Sequence, residues 1–482
     1  MQQTAGRESP QRWQQLPRAL VGALVLVLAG CAIAPRVPRP HLALPPHYTQ
    51  APAATALGPA PDLAHWWRSF HDPVLDALVQ RALAQNLGLK AAGERLAAAR
   101  ALLGTPRDRH LPSASLYTNE QPTPGSTASY FQIGFDAIWQ FGLFGRGESE
   151  QRIADGNANL AAADLAAAHA ALVAEVVRSY LDLRAAEQRA QLAVDMRRIA
   201  RRRAQLIAVR VAQHLDAPAA NAGARAGAAE AAAAVTSAES AAAIARQQLA
   251  VLLSDAEPDA LLVPAAGPLP LPPALPPQLP PANLLRTRPD IQRAEAAVLH
   301  AAGELGIARA NLYPRLGLGW TATASAQTAG GEIGRLRTIP SFGPIINMPL
   351  FDWGLRQAQI RANGHQLKAA VLDYRQTVLA AVGEVEQAYA ALRSAQAQAV
   401  AAQLSAQAAQ QAAQAATTRS ALGLGDGLAA GSAADAALRA RSVASGAQAA
   451  EGVAWVRLYK ALGGASPLAG SARERSPARA AR

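Results

Sequence analysis

The same long unit is written twice in this chain, and that duplication constrains the fold more than any single residue. Glu175-Val176-x-x-x-Tyr180-x-x-Leu183-Arg184 returns as Glu384-Val385-x-x-x-Tyr389-x-x-Leu392-Arg393. Upstream, Arg107-x-x-x-x-Pro112-x-x-x-Leu116 returns as Arg309-x-x-x-x-Pro314-x-x-x-Leu318. Between these anchors Leu143-Phe144-Gly145-Arg146 answers to the run Leu350 to Arg356. Short periods describe solenoids, whereas one domain-length period describes two fused copies of one architecture. Chance matching in an alanine-rich chain is the alternative, and three ordered anchors containing Tyr, Pro, Phe and Arg argue against it.

Each copy reads as helix, two strands, a very long helix, a tight turn and a returning helix. The first helix is expected from Val74 to Leu103, closed by Pro106 and Pro112. Hairpins follow over about 112–142 and 314–350, where alternation appears in Tyr130 to Ala137, in Leu316 to Thr323 and more loosely from Ile339 to Leu350. Strands near 9 to 11 residues could cross a bilayer when tilted, or form a soluble hairpin that caps a bundle. Long proline-free runs come next, Gly125 to Ala217 and Leu350 to Ser466. Leu165, His169, Leu172, Val176, Tyr180 and Leu183 step at helical spacing, as do Leu367, Val371, Tyr374, Val378, Val382, Val385 and Tyr389. His169 reads as a satisfied interior histidine. About 60 helical residues would reach roughly 90 Å, a length that needs coiled-coil neighbours. Breaks at His214 to Pro218 and at Gly423 to Gly427 return the chain through helices near 219–254 and 429–462.

The resulting division is a signal peptide at 1–30, a Pro-rich tether at 31–62, a first repeat at 63–257, a Pro-rich linker at 258–288, a second repeat at 289–465 and a basic tail at 466–482. Hydrophobic residues make up 50% of the chain but aromatics only 5%. Alanine, the best helix former and a very small one, suits long helices packed closely. The mean hydropathy of +0.03, with no apolar run beyond the N-terminus approaching about 20 residues, argues against a polytopic helical membrane protein.

The net charge of +12 comes almost wholly from arginine, the only lysines being Lys90, Lys368 and Lys460. The arginines are scattered along helical patterns without a nucleic-acid-binding signature, so no nucleic acid partner is expected; the cluster Arg197, Arg198, Arg201, Arg202 and Arg203 reads as a solvated or phospholipid-facing helix face. Cys31 is the only cysteine, which excludes disulfides. It follows a basic stretch (Arg7, Arg12, Arg18), a short apolar run from Ala19 to Ala29, and Leu28-Ala29-Gly30. That pattern is a secretory signal ending in Cys31. HExxH, GxSxG and P-loop patterns are missing and the histidines do not cluster, so the expectation is no enzyme, no cofactor and no metal. Glu384 and Glu386 lie two apart on a helix and face different ways, which does not suit a shared acid–base site.

The chain resembles the TolC-like outer-membrane factors of tripartite efflux pumps, in their lipoprotein branch. The resemblance rests on Leu28-Ala29-Gly30-Cys31, similar to a bacterial lipobox; Trp66-Trp67-x-x-Phe70-x-Asp72-Pro73-x-Leu75; Phe135-Asp136-Ala137-x-Trp139 through Arg146; Arg288-Pro289-Asp290-Ile291-x-x-Ala294-Glu295; Pro349-Leu350-Phe351-Asp352; and Leu458-Tyr459-Lys460-Ala461-Leu462-Gly463-Gly464. It implies lipidation at Cys31, with Ala32 favouring the outer membrane. It also implies a homotrimer whose chains each give four strands to a 12-stranded β-barrel on a long α-helical periplasmic barrel. The implied activity is a passive exit duct, joined by a periplasmic adaptor and energised by an inner-membrane pump. The implied aperture lies at the helical turns, with Asp216 and Asp426 as candidate gate charges and Arg210 and Arg419 as their pairing partners. A turn-forming or capping role for both aspartates is the alternative. Gln140 and Gly142 depart from the family's usual Glu and Asp, Pro106 falls where the second copy has Ala308, and the segment Gly423 to Ala436 is mostly alanine and glycine. A periplasmic coiled-coil scaffold or adaptor lipoprotein without a pore is the rival reading.

Overall fold

A computed structural model describes residues 35–38, 42–51, 62–121, 128–257, 269–270, 280–329, 332–333 and 335–464. Cys31, the signal segment and the basic tail lie outside the described residues. Helices α1 (Pro73–Gln85) and α2 (Leu87–Ala101) lead to strands β1 (Ser113–Gln121) and β2 (Ala128–Gln140). Long helix α3 (Arg146–Ala212) and returning helix α4 (Pro218–Leu252) complete the first pass. The second pass runs α5 (Pro289–Ala310), β3 (Arg315–Ala329), the short β4 (Glu332–Ile333), β5 (Arg337–Asn347), α6 (Leu355–Ala421) and α7 (Gly427–Ala461).

The duplication is metrical as well as sequential. Both long helices have 67 residues and both returning helices have 35. At 1.5 Å per residue each long helix runs about 100 Å. The strands are where the copies differ, with 9 and 13 residues in the first and 15 and 11 in the second.

Two expectations for the first copy need correction. The single helix expected from Val74 to Leu103 is two helices, because Asn86 breaks it. The Asn86 side chain accepts from Leu89 N at 2.9 Å and donates to Leu252 O at 3.0 Å, so the break is capped on both sides. Pro106 then opens a separate one-turn helix, Thr105–Asp108, whereas α5 runs unbroken through Ala308. The linker expected at 258–288 also ends early. Pro281–Asn283 is a 3-10 turn and Leu284–Thr287 a helical turn that buries Leu284.

By its contacts the chain forms two compact units, each drawing on both copies. One contains Arg95–Ala161, Arg293–Arg375 and residues 35–38. Its helical core is Val298, Ala302, Leu305 and Leu367, with Val371 and Tyr374 packed against it. Small residues let its helices approach closely: a Cβ on Gly306 would sit 2.1 Å from Ser149 Oγ. That is close packing of the kind the alanine and glycine content predicts.

The other unit contains Leu42–Glu94, Ala162–Gln292 and the chain from Gln376. Leu172, Val176, Tyr180 and Leu183 of the expected stripe are buried there, as are Val378, Val385 and Tyr389, while His169 is half-buried and has a partner. Trp66, Tyr459 and Trp455 stack in sequence, with ring centroids 5.3 and 4.9 Å apart. Asp72 caps α1 through Val74 N and Leu75 N and accepts from Tyr180 Oη at 2.6 Å. Burial, and then the bond to Asp72, push the Tyr180 hydroxyl up to about 12. Contrary to the sequence expectation, α3 contains an 18-residue stretch apolar enough to cross a membrane by length and composition; 44% of that stretch is buried within the protein. Its alanine content and core stripe account for that hydropathy.

The Pro-rich N-terminal segment is docked where it is described. Tyr48 is buried against Tyr389, with ring centroids 5.9 Å apart. Thr49 N and Gln50 N both donate to the Glu386 carboxylate at 2.7 Å, and Arg393 Nη2 donates to Gln50 Oε1 at 2.6 Å. Glu384 instead accepts from the buried Arg288, at 2.6 Å. The two carboxylates therefore serve separate partners, as their spacing requires.

Candidate functional site

Two features can carry function, a sheet in the first unit and a pair of helical turns in the second. The sheet joins both hairpins. β1 pairs with β2, β2 with β3 and β3 with β5, all antiparallel. Leu116, Phe135, Ala322 and Pro340 form one row across the strands. Ala114, Ala137, Trp320 and Phe342 form the row two residues away on the same face. The row between them, on the opposite face, is Ser115, Asp136, Thr321 and Ser341. Period-two alternation thus gives the sheet one apolar face and one mainly polar face, the latter also carrying Ile138, Ile339 and Ile345.

Side-chain contacts follow the same division. Phe135 meets Trp320 edge-on at 5.3 Å on the apolar face. Tyr117 Oη hydrogen-bonds Thr323 Oγ1 at 3.0 Å on the polar face. Gly134 stands beneath that tyrosine, where a Cβ would lie 2.4 Å from its ring, so the phenol can lie across the sheet. Leu116, Phe342 and Ile346 on the apolar face are exposed, and among the described residues no element covers that face. The outer edges of β1 and β5 likewise have no strand partner there.

The strands run into the long helices through a repeated turn. Phe144 and Gly145 both take positive φ, as do Trp353 and Gly354. Within the run Leu350 to Arg356, the structural counterpart of Phe144 is therefore Trp353. Phe144 stacks on Tyr313 at 5.0 Å, while Trp353 is 90% exposed beside an exposed Phe351. Trp139 Nε1 donates to His110 O at 2.7 Å, and its ring meets Phe141 at 4.9 Å. Aromatic side chains thus gather at the helix end of the strands.

At the other end of the long helices, both turns are Schellman caps. Leu215 N donates to Arg210 O and Leu424 N to Arg419 O, each at 2.8 Å. The left-handed position is His214 in the first copy and Gly423 in the second. Arg210 clamps Asp216 with two bonds, Nε to Oδ2 at 2.8 Å and Nη2 to Oδ1 at 2.9 Å. This pairing holds the Asp216 carboxyl below its usual range and raises Arg210. Asp426 behaves differently: it caps α7 through Leu428 N at 3.0 Å. Its expected ion pair with Arg419 is not formed among the described residues, because capping turns the carboxylate towards its own helix. The turns are alike in backbone and unlike in charge pairing.

Sequence reasoning overlooked Arg288, whose side chain is 11% exposed. Its guanidinium donates to Ala461 O at 2.7 Å, to Asp290 at 2.7 and 3.0 Å, and to Glu384 at 2.6 Å. The signal was present in the motif Arg288-Pro289-Asp290 ahead of a helix, but its partners lie far away in the chain. Among the described residues no cluster of three metal-ligating side chains occurs.

The outer membrane efflux protein profile matches residues 78–254 and 281–464. The outer membrane protein OprJ of Pseudomonas aeruginosa is 30% identical over 76% of this chain and 79% of its own length. Nodulation protein T of Rhizobium leguminosarum bv. viciae is 28% identical over 78% of each chain. Among solved structures, the outer-membrane channel OprN superposes with a TM-score of 0.74 at 30% identity, covering 90% of this chain and 99% of its own. The open state of the Neisseria gonorrhoeae MtrE outer membrane channel gives 0.76 at 26% identity, covering 90% and 98%. By the matched profile and these relatives, the chain belongs to the outer membrane efflux protein family, a family of channels of the outer membrane.

Proposed function

We propose that this protein is the passive exit duct of a tripartite efflux system, working as a homotrimer whose sheets join into one 12-stranded barrel. The observation that carries this reading is the sheet of four long strands, to which β4 adds only a two-residue pairing on β3, with one apolar face and two outer edges unpaired among the described residues. Inside lipid every backbone N–H and C=O must be paired, so an open sheet there is untenable. Four strands are too few to close alone, since membrane barrels begin at eight. Pairing β1 of one copy with β5 of the next satisfies both edges, and three copies give twelve strands. The polar face, with Ser115, Asp136, Thr321 and Ser341, then lines a water-filled lumen. Helix packing between copies has support of its own. Leu379, Val400 and Leu404 stand exposed along α6 at coiled-coil spacing.

The relatives set the class of cargo and partners. They include proteins named as toluene and antibiotic efflux pump outer membrane proteins of Pseudomonas putida. Small apolar or amphiphilic molecules are accordingly the cargo proposed here, delivered by an inner-membrane pump through a periplasmic adaptor. Acyl chains on Cys31 would fasten each copy to the outer membrane. The two matched segments, 78–254 and 281–464, support dividing the chain into two repeats joined by Pro-rich chain. At the turns, the Arg210–Asp216 pair is the proposed latch of the resting aperture, with Asp426 shaping the neighbouring turn.

The test is conductance in planar bilayers by the purified, acylated protein, alongside electron microscopy of its assembly. A duct gives discrete channel openings and three-fold cylinders. A pore-free scaffold gives neither, and that result would replace this reading with the scaffold lipoprotein.

A further inference from the structure

An open groove of about 800 Å³ lies in the first unit, between α5, α6 and the N-terminal residues 35–38. Its floor is apolar, formed by Leu305, Leu367, Val371 and Leu372. Four cations border it: Arg36, Arg309, Arg361 and Lys368. Among the described residues none of the four has a carboxylate within ion-pair distance. Along the chain, Glu304 lies five residues before Arg309 and Asp373 five after Lys368, and neither forms an ion pair with any of the four among the described residues. Asp352, nine residues before Arg361, is engaged by Arg356 at 3.0 Å and by the turn amides of Gly354 and Arg356. The N-terminal segment brings no acid, since the sequence contains no Asp or Glu from Cys31 to Pro61. Four uncompensated cations around an apolar floor call for a ligand that is anionic at one end and apolar at the other.

The position of the groove says which anionic amphiphile is within reach. Arg309 lies six residues before β3 begins at Arg315, and Arg361 lies six residues after α6 begins at Leu355. At 1.5 Å per helical residue, Arg361 is about 9 Å below the turn that carries the exposed Phe351 and Trp353. Arg361 also borders a second opening, of about 530 Å³, that reaches that turn beside Trp353. Exposed aromatic residues at the end of a membrane sheet sit at headgroup level, which puts the four cations just beneath the headgroups. We infer that the groove between α5, α6 and residues 35–38 binds an anionic phospholipid of the periplasmic leaflet. Its phosphate meets Arg309, Arg361 and Lys368, with Arg36 closing over it, and an acyl chain lies along Leu305, Leu367, Val371 and Leu372. The neutral acyl groups of a lipidated cysteine would not need the cations. This inference rests on the protein's place in the outer membrane, and not on its being an open duct.

The test uses the full-length assembly, stripped of lipid in detergent and titrated with dioleoylphosphatidylglycerol or dioleoylphosphatidylcholine. Native mass spectrometry reads the lipids retained. The anionic lipid is expected to be retained at a free concentration at least 10-fold lower than the zwitterionic one. In the triple variant Arg309→Gln, Arg361→Gln, Lys368→Gln that preference falls to within about 2-fold. In the control Arg225→Gln, Arg441→Gln, Arg457→Gln, on the exposed sides of α4 and α7, it stays. Equal retention of both lipids by the natural protein would overturn the inference, as would an unchanged preference in the triple variant or a lost one in the control. If the triple variant instead dissociates and neither lipid is retained, a neighbouring copy fills the groove and the inference is wrong. Conductance measured on the same samples keeps the two readings apart. A conducting assembly without lipid preference removes only this inference, whereas a non-conducting assembly that keeps the preference removes only the duct.

Discussion

Phe342 tests the two-faced sheet most sharply. It is the sixth of the 11 residues of β5, is exposed, and stands directly opposite Trp320 on the apolar face. In the proposed barrel, replacing it with arginine would put a cation on the lipid side near mid-bilayer, which costs about 2–4 kcal/mol in a membrane barrel. Loss of the cross-strand aromatic pair adds up to about 1 kcal/mol. The expected total is about 2–5 kcal/mol per chain and, if three copies unfold together, on the order of 10 kcal/mol per assembly. Ser341→Arg supplies the control, since one step along a strand reverses the face. Its arginine would enter the aqueous lumen and cost less than about 1 kcal/mol. Urea unfolding of protein folded into phospholipid vesicles, followed by tryptophan fluorescence, gives both values. Equal penalties for the two variants would refute the assignment of faces, and with it the barrel.

Further expectations concern the helical unit. Arg288→Ala removes a buried guanidinium from three partners. Because Asp290 and Glu384 stay about half exposed and can be rehydrated, the cost should fall at or below the low end for a broken buried pair, about 2–3 kcal/mol. Arg288→Lys should recover less than half of it, since one ammonium cannot reproduce the fork; both appear as losses of thermal stability by calorimetry. His214→Gly relieves a left-handed non-glycine cap and should stabilise the first turn by roughly 0.5–1 kcal/mol, whereas Gly423→Ala should destabilise the second by a similar amount. The Asp216 carboxyl is depressed in the folded state, so its pairing is complete above the unfolded value near 3.9 and is lost as pH falls through the lowered folded value. Resting conductance should therefore be flat between about pH 7 and 5 and rise only below about pH 4. Asp216→Asn should leak throughout that range, and a silent Asp216→Asn channel would remove Asp216 from the gate.

The duplicated order of elements was legible because it is written in local chemistry: proline-free alanine-rich runs, helical stripes, alternating strands and glycine or proline at the breaks. The helix ends fell within a few residues of expectation because Pro218 and Gly427 act where they stand. Long-range pairing was not legible in the same way. That Asp216 meets Arg210 while Asp426 turns back to cap its own helix depends on rotamers and turn geometry within near-identical backbones. That Asn86 splits a helix depends on a carbonyl at Leu252, and that Arg288 holds Glu384 and Ala461 depends on helices distant in the chain. The Pro-rich segment gave no periodic sign that Tyr48 would be buried on Tyr389. Local propensity settled which elements form, whereas only the tertiary structure decided the partners of each charged side chain. It also decided that β2 and β3 join the two hairpins into one sheet. The physical reason is range: propensity acts within a turn or two, while pairing is set by what folding brings alongside.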